Sequence, residues 1–321
     1  MLTNVTTGAN DLMPSTGDYT VTKTVHSDTY PAIDPSKLPS SLLPGRAVYV
    51  SGASRGIGKA IATSFARGGA SVIAIGARST TSLEPVAEEL KAAAREAGRD
   101  ADKLRVVLVG IDVSVPESVA TAAELVKREL GGGGLDIVVQ VAGISGEFQK
   151  KVIDADPDSW WQVYETNVRG QFLVAKYFLP LLLGRGANGL KTFVTVASVG
   201  AHLTLPGSSQ YQPGKLVNLR FAEFVDVEYA DQGVSAWCVH PGNVLTDMAT
   251  GIEADAATKE AMSKVFVDTP QISADTIVYL TSEKRQWLSG RYINCTWDVP
   301  ELLALEEDIV KGDKLKVRLI V

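Results

Sequence analysis

The chain has 321 residues, of which 45% are hydrophobic and 21% are charged, and its formal net charge is −6. This composition is typical of a globular protein with one large domain or two small ones. The sequence contains no basic run of the kind that binds nucleic acid, and no apolar stretch approaches the roughly 18 residues of a membrane span. Neither nucleic acid nor a membrane is therefore an expected partner.

The cysteines and histidines form no disulfide framework and no metal-ligand pattern. Cys238 and Cys295 lie in apolar, strand-like segments, so both are expected to be buried and reduced. The three histidines are scattered along the chain, so we expect no metal site. The N-terminus lacks the basic start and apolar centre of a signal peptide, and a cytoplasmic protein is expected.

Residues 1–45 differ from the rest of the chain. They are rich in Thr, Ser, Asp and Pro and show little hydrophobic periodicity. We interpret them as an N-terminal extension that is either partly disordered or an extended arm. Such an arm could drape over a neighbouring subunit, and the sequence leaves these alternatives open.

From Arg46 onward, segments typical of strands alternate with segments typical of helices. The predicted strands are 47–51, 71–76, 105–111, 136–141, 191–197, 234–239 and 291–295. The predicted helices are 57–68, 82–97, 116–130, 158–184, 209–231, 258–267 and 273–283, followed from about 296 by a helical tail. The alternation predicts an α/β fold, with a single Rossmann-type domain over 46–321. Its doubly wound, mainly parallel sheet of about seven strands has helices on both faces, and ligands bind outside the carboxyl ends of such strands.

A glycine-rich turn joins the first predicted strand to the first predicted helix, with the sequence Gly52-Ala53-Ser54-Arg55-Gly56-Ile57-Gly58. Glycines at such a turn let backbone amides approach a pyrophosphate, whose negative charge the helix N-terminus favours. An ordinary tight connection is the alternative. The βαβ unit that this turn opens favours nucleotide binding.

The end of the second strand predicts which nucleotide binds. Proteins that bind NAD usually have a carboxylate there that accepts a hydrogen bond from the ribose 2′-hydroxyl. This chain has Arg78 instead and no acid, and Arg55 lies inside the glycine turn. Two guanidinium groups suit a 2′-phosphate by charge and by geometry, so we predict NADP(H), with two solvated arginines as the alternative.

Tyr211 and Lys215 are four residues apart, so a helix would place them on one face, and Ser198 lies upstream. A Lys ammonium at that position lowers the pKa of a phenol and makes it a general acid or base. Alone, this spacing is typical of a solvated helix face, but the glycine turn favours a catalytic role. Pro213 lies between the two residues and is tolerated only if the helix begins close to it.

Further motifs follow in order along the chain: Asp112-Val113 after the third strand, Ala142-Gly143 after the fourth, Asn167, and His240-Pro241-Gly242 with Thr246 downstream. Together with the glycine turn and the Ser-Tyr-Lys set, these motifs over residues 46–295 resemble the short-chain dehydrogenase/reductase family, in its NADP-preferring type. The resemblance implies that Asn167, Ser198, Tyr211 and Lys215 are the catalytic residues. It also implies a cofactor site made of Gly52, Ser54, Arg55, Gly56, Ile57, Gly58, Arg78, Asp112, Val113, Ala142, Gly143, Tyr211, Lys215, Pro241, Gly242, Val244 and Thr246.

Two features depart from the family pattern. Gln140 and Val141 stand where the family has paired asparagines, which we expect to weaken the polar contacts behind the cofactor. The chain also lacks the family's common Val-Asp-Gly-Gly ending and continues instead through Cys295 into a longer tail.

The function implied by the resemblance is NADPH-dependent reduction of a carbonyl to a secondary alcohol, with Tyr211 as proton donor and Ser198 holding the carbonyl oxygen. Lys215 would bind the nicotinamide ribose, and Asn167 would support a water that links Lys215 to solvent. The expected pocket residues are mostly apolar and predict a medium-sized, largely apolar ketone: Ile144, Phe148, His202, Leu203, Leu205, Gln210 and Val244.

Two other functions remain open at this stage. One is an NAD(P)-dependent alcohol dehydrogenase that works in the oxidative direction, and the other is a non-catalytic, NADP-binding sensor or scaffold. Members of the family commonly assemble through two long helices, here 158–184 and 209–231. A homodimer or homotetramer is therefore implied.

Overall fold

The computed structural model describes residues 21–39, 42–147, 150–246, 260 and 263–319. Its sheet has seven strands: β1 (Ala47–Ser51), β2 (Val72–Ala77), β3 (Arg105–Gly110), β4 (Ile137–Gln140), β5 (Thr192–Val196), β6 (Ser235–His240) and β7 (Tyr292–Asn294). The spatial order is β3-β2-β1-β4-β5-β6-β7, and every neighbouring pair is parallel. The predicted doubly wound α/β fold is confirmed. Because the order reverses between β1 and β4, a crevice opens there at the carboxyl ends of the strands.

The described helices follow the strands in alternation. They are α1 (Gly56–Gly68), α2 (Glu84–Glu96), α3 (Pro116–Glu129), α4 (Pro157–Tyr164), α5 (Gly170–Leu183), α6 (Gln212–Tyr229), α7 (Pro270–Thr281), α8 (Val299–Ala304) and α9 (Glu306–Lys311). Proline occupies the first turn of α3, α4 and α7, where its missing N–H costs no hydrogen bond. None of the helices in the described residues is long and apolar enough to cross a membrane.

The sheet is buried on both faces, as its nearly continuous apolar strands require. Helices α1 and α7 pack together on one face, and α3 and α5 pack together on the other. The buried residues of β1 divide between the two cores, with Val48 and Val50 facing the first and Tyr49 the second. This packing fixes the strand ends that carry the site.

Three predicted helices differ from those observed. The predicted helix 158–184 is interrupted by a π-helical turn over Glu165–Arg169, which separates α4 from α5. The predicted helix 209–231 begins only at Gln212, because Pro213 must lie in a first turn. The predicted helix 258–267 lies partly outside the described residues, and the described residues 263–265 are helical.

Residues 21–39, which we call the arm, pack against the C-terminal part of the same chain. Val25 forms an antiparallel bridge with Trp297, and the backbone N–H of His26 donates to the Thr296 carbonyl oxygen at 2.7 Å. The Tyr30 hydroxyl accepts from the Val299 N–H at 2.7 Å. The arm is thus joined to the segment that follows β7.

The tail after β7 covers the edge of the sheet. Asp298 caps α8 by accepting from the Glu301 N–H at 2.9 Å. Further on, the Tyr292 N–H of β7 donates to the Leu315 carbonyl oxygen at 2.8 Å, and Arg318 pairs with Glu223 of α6 at 2.6 Å. The last strand therefore has a partner on its outer side.

Candidate active site

The glycine turn between β1 and α1 is built so tightly that side chains are excluded at two of its glycines. A Cβ at Gly58 would lie 2.2 Å from the Gly52 carbonyl oxygen, and one at Gly52 would lie 3.0 Å from the Ala142 backbone. Gly52 and Gly56 also have positive φ angles, +61° and +56°, which side chains disfavour. The turn thus brings bare backbone to the N-terminus of α1, which is the arrangement that binds a pyrophosphate.

The two arginines predicted to favour NADP(H) flank the glycine turn in the fold. Arg55 is exposed at the N-cap position of α1, and Arg78 is exposed immediately after β2. Asp112 and Val113, which the family resemblance places in the cofactor site, are engaged within the protein. The Asp112 carboxylate accepts from the Ser114 N–H at 3.0 Å and from its hydroxyl at 2.6 Å, and Val113 packs against Gly170 of α5. Any contact of these two residues with a nucleotide stays a prediction.

The ends of β1 and β4 are joined by a polar network around Ser51. The Ser51 hydroxyl donates to Gln140 Oε1 at 2.6 Å and accepts from the N–H groups of Val141 and Ala142 at 2.9 and 3.1 Å. Gln140 Nε2 donates in turn to the Ala142 carbonyl oxygen at 3.3 Å. The longer amide side chain of Gln140 thus reaches Ser51 on the neighbouring strand, and the expected weakening of polar contacts behind a cofactor stays a prediction.

Asn167 lies in the π-helical turn and holds the loop that follows β4. Its Oδ1 accepts from the Ile144 N–H at 2.9 Å, and its Nδ2 donates to the Ile144 carbonyl oxygen at 2.7 Å. A Cβ at Gly143 would lie 3.0 Å from Asn167 Oδ1 and 3.7 Å from Lys215 Nζ. The predicted residues Gly143, Asn167 and Lys215 therefore meet at one point, and the side chain of Asn167 fixes the loop.

Ser198 and Tyr211 approach each other at the carboxyl end of β5. Ser198 caps a short 3₁₀ helix, its hydroxyl oxygen accepting from the Gly200 N–H at 3.0 Å, and it also hydrogen-bonds Tyr211. A Cβ at Gly200 would lie 3.2 Å from Ser198 Oγ and 3.7 Å from Tyr211 Cε1. Tyr211 occupies the N-cap position of α6, so the hydroxyl and the phenol face the same space.

Lys215 lies one turn into α6 and is buried, with 6% of its surface exposed. Its Nζ donates to the Val196 carbonyl oxygen at 2.9 Å and lies 5.4 Å from the centroid of the Tyr211 ring. Burial lowers the pKa of Lys215 to about 8, an effect that the neighbouring Cys238 opposes. The ammonium is thus close to the phenol, as the four-residue spacing predicts.

The predicted lowering of the Tyr211 pKa is wrong for the protein in this structure. Burial raises the pKa of the phenol above its ordinary value, and the hydrogen bond with Ser198 offsets part of that rise. The reason is that the apolar surroundings penalise the phenolate more than its polar neighbours stabilise it. At neutral pH Tyr211 therefore carries its proton.

The loop after β6 closes the crevice from the far side. It contains Pro241 and Gly242, whose φ of +90° suits only glycine, and Val244, which is buried. A Cβ at Gly56 would lie 3.6 Å from Thr246 Cγ2, so this loop reaches the glycine turn. Burial, with a further contribution from His202, lowers the pKa of His240 to about 3 and keeps that side chain neutral.

The pocket predicted for the substrate is described only in part. A shallow cleft beside the residues that precede Tyr211 is lined by Glu147, Lys150, Ala155, Asp156, Ser159, Trp160 and Gln210. Of the predicted pocket residues, Gln210 lines this cleft, and Phe148 lies outside the described residues. In the described part of the chain, no cluster of three or more His, Cys, Asp or Glu could hold a metal ion.

Sequence reasoning missed two residues that support the site. Ser51 ends β1 immediately before the glycine turn. A polar residue at the end of an otherwise apolar strand could have indicated that it supports the turn. Asp268 is buried, and its carboxylate accepts from the Asn243 N–H at 2.6 Å, while burial raises its pKa to about 6. Nothing in the sequence links Asp268 to a residue so far upstream.

The assembled site fits a nicotinamide dinucleotide, because the bare glycine turn, the helix N-terminus and the Tyr-Lys pair line one crevice. A family model described as enoyl-(acyl carrier protein) reductase matches residues 52–295. The chain is 48% identical over 313 residues to a protein of Monascus ruber named short chain dehydrogenase pigC, and the alignment covers 98% of each chain.

Solved structures give the same picture of the fold. An alcohol dehydrogenase from the archaeon Thermococcus sibiricus, complexed with 5-hydroxy-NADP, is 26% identical with a TM-score of 0.63, covering 78% of this chain and 95% of that one. A 3-ketoacyl-(acyl-carrier-protein) reductase from Brucella melitensis, complexed with NADH, is 25% identical with a TM-score of 0.66, covering 79% and 97%. These two neighbours carry different nicotinamide cofactors.

Proposed function

The chain belongs to the short-chain dehydrogenase family and is an oxidoreductase, and on that premise we propose that it uses NADPH to reduce a ketone to a secondary alcohol. The ketone is of medium size and largely apolar, as the predicted pocket residues favour. The observation that carries the proposal is the meeting of Asn167, Ser198, Tyr211 and Lys215 beside the glycine turn, with the phenol of Tyr211 protonated.

The cofactor, when bound, supplies the hydride that the carbonyl carbon receives. The residues of the chain manage the oxygen and its proton. Ser198 Oγ donates a hydrogen bond to the carbonyl oxygen and orients it, and the Tyr211 hydroxyl delivers the proton as negative charge develops there. The Lys215 ammonium, 5.4 Å from the Tyr211 ring centroid, stabilises the phenolate that results.

The protonation state of Tyr211 supports the reductive direction. Reduction needs a phenol that can give up a proton, whereas oxidation of an alcohol needs a phenolate that can accept one. Because burial raises the pKa of Tyr211, the phenol form dominates at neutral pH. In the oxidative direction the same phenol would first have to lose its proton.

The preference for NADPH rests on Arg55 and Arg78. Both are exposed on the side of the glycine turn where the adenosine ribose would lie, and no acid follows β2. The alcohol dehydrogenase complexed with 5-hydroxy-NADP supports this choice, and the reductase complexed with NADH supports the alternative. We expect Arg78→Ala to weaken NADPH binding roughly tenfold or more, as loss of a charge-assisted contact should, while NADH binding changes little.

Arg105 provides a matched control for that experiment. It is an exposed arginine at the amino end of β3, whereas the glycine turn and Arg78 lie at the carboxyl ends of the strands. Arg105→Ala should leave the affinity for both cofactors unchanged. Tighter binding of NADH than of NADPH by the unaltered protein would refute the cofactor assignment and leave the catalytic set intact.

Catalysis is tested with Tyr211→Phe, which removes the proton donor and keeps the ring. We expect kcat for ketone reduction to fall by about 10²–10⁴, the usual contribution of a positioned acid, with cofactor affinity nearly unchanged. Turnover equal to that of the unaltered protein would refute the proton-transfer role.

We also propose a homodimer or homotetramer assembled through α5 and α6. These helices expose large apolar side chains, with Phe172 48%, Phe224 57% and Val227 83% exposed. Phe172 packs edge-on against the half-buried Phe221 of α6, 6.5 Å between ring centroids, so apolar side chains of α5 and α6 meet at this point. Light scattering of Phe224→Glu should give a smaller assembly than the unaltered protein, and an unchanged mass would refute this interface.

A cytoplasmic location completes the proposal. Cys238 and Cys295 are both buried free thiols, which fits a reducing compartment. Microscopy of the tagged protein in its own cells would contradict this if the label coincided with a membrane-bound compartment.

A further inference from the structure

The arm has no role in the proposed chemistry, yet it contacts the segment that supports the cofactor loop. The Thr269 N–H donates to the Ser27 carbonyl oxygen at 2.8 Å, and the Thr269 hydroxyl donates to Asp28 Oδ1 at 2.5 Å. A further bond joins the Thr29 hydroxyl to the carboxylate of Asp275, a buried residue of α7, at 2.6 Å. Residues 27–29 therefore hold the chain at the point where it enters α7.

The residue immediately before Thr269 holds the loop after β6. Asp268 exchanges two hydrogen bonds with Asn243: its carboxylate accepts from the Asn243 N–H at 2.6 Å, and its own N–H donates to the Asn243 carbonyl oxygen at 3.1 Å. It also forms a parallel bridge with Val244. A Cβ at Gly242 would lie 2.9 Å from Asp268 Oδ2, so the carboxylate is packed directly against the loop.

The loop that Asp268 supports forms one wall of the crevice. Gly242 and Val244 belong to the predicted cofactor site, and Thr246 faces Gly56 of the glycine turn. The loop and the turn are thus close neighbours, so a shift of one changes the space between them. Loss of the bonds between Asp268 and Asn243 would let the loop shift relative to the turn.

We propose that Asp268 is a positioning residue that sets the cofactor loop against the glycine turn, and that Asp28 of the arm stabilises this arrangement through Thr269. The arm thereby takes part in cofactor binding without contacting the cofactor. This inference rests on the proposed use of a nicotinamide cofactor, and it holds whether that cofactor is NADPH or NADH.

The experiment compares Asp268→Ala with Asp268→Asn in the full-length protein. The dissociation constants of NADPH and NADH are measured by nicotinamide fluorescence, and the melting temperature is measured in parallel. Asp268→Ala should weaken the tighter-binding cofactor about tenfold, the effect expected for loss of a hydrogen bond to a charged group. Asp268→Asn keeps an oxygen that accepts from Asn243 and should restore the affinity to within about threefold of the unaltered protein.

A second pair of variants tests the arm and does not depend on the folding of Asp268→Ala. Asp28→Ala removes the carboxylate bonded to Thr269, and Asp34→Ala removes another arm carboxylate, which pairs with Arg67 of α1 at 2.9 Å. We expect both variants to lower the melting temperature. Only Asp28→Ala should also raise the dissociation constant of the cofactor, by about threefold, because one exposed hydrogen bond is lost.

Two outcomes would overturn the inference about Asp268 and the arm. Cofactor affinity in Asp268→Ala equal to that of the unaltered protein would overturn the inference, as would equal weakening by Asp28→Ala and Asp34→Ala. Failure of the unaltered protein to bind either cofactor would instead overturn the proposed function, and the inference with it.

Discussion

Substitution of Gly58 by Ala tests the idea that the glycine turn is a backbone surface shaped for a dinucleotide. Gly58 is the third residue of α1, and the new Cβ would lie 2.2 Å from the Gly52 carbonyl oxygen and 2.8 Å from the Gly52 carbonyl carbon. Both atoms belong to the backbone of the turn, so no side-chain rotation relieves the clash. The turn itself must move, by about 1 Å to reach an ordinary contact distance.

The magnitude follows from two opposing effects. Ala is favoured over Gly inside a helix by about 1 kcal/mol, whereas overpacking of a rigid site costs about 1–3 kcal/mol. The free energy of unfolding should therefore fall by roughly 0–2 kcal/mol, which lowers the melting temperature by a few degrees at most. Cofactor affinity should fall much further, about 100-fold, because a shift of about 1 Å misaligns several backbone donors at once.

Gly98→Ala is the matched control. Gly98 has a φ of +71°, and nothing lies within 4 Å of its would-be Cβ, so the substitution imposes backbone strain alone. That strain costs about 1–2 kcal/mol, similar to the loss expected at Gly58, but it arises between α2 and β3, far from the crevice. Thermal unfolding and fluorescence titration of both variants should give similar melting temperatures and different affinities. Equal cofactor affinity in the two variants would refute the steric argument.

Three further predictions concern the polar groups of the site. Ser198→Ala should lower kcat for ketone reduction about 10²-fold, as loss of one preorganised donor does, with a smaller change in KM; an unchanged kcat would contradict its role. Gln140→Leu leaves the Ser51 hydroxyl without its acceptor and should lower the free energy of unfolding by about 1–3 kcal/mol in denaturant titrations, whereas a neutral result would mean that the network is dispensable. The pH dependence of kcat follows from the pKa of Lys215, which is about 8. Below pH 8 the side chain is an ammonium that stabilises the Tyr211 phenolate, so kcat for ketone reduction should fall as the pH rises above 8. A reductive rate that rises from pH 7 to 9 would contradict this sign.

The sequence predicted the positions of the site residues in the fold better than it predicted the pKa of Tyr211. The apolar runs and the glycine turn were sufficient to place Gly52 and Ser198 at the same edge of a parallel sheet, because alternating strands and helices allow few topologies. The four-residue spacing likewise placed Lys215 beside Tyr211. These are local patterns whose geometry is nearly independent of the rest of the chain.

The errors came from quantities that depend on the packed interior. The pKa of Tyr211 is raised because burial outweighs the hydrogen bond with Ser198, and spacing alone does not reveal how deeply a side chain lies. The bond between Gln140 and Ser51 on the adjacent strand is likewise a contact that the sequence alone did not predict. The support that Asp268 gives to Asn243 joins distant parts of the chain, and no local pattern encodes such a contact.

The joining of the arm to the tail has a consequence for how the chain acquires its structure. Val25 and its partner Trp297 are far apart along the chain, and every strand of the sheet lies between them. Contacts of such large sequence separation form late, because the whole intervening chain must first be closed into a loop. The strands of the α/β body can therefore pair before the arm meets residue 297, which follows β7 along the chain. Docking of the arm is thus expected to be a late step of folding.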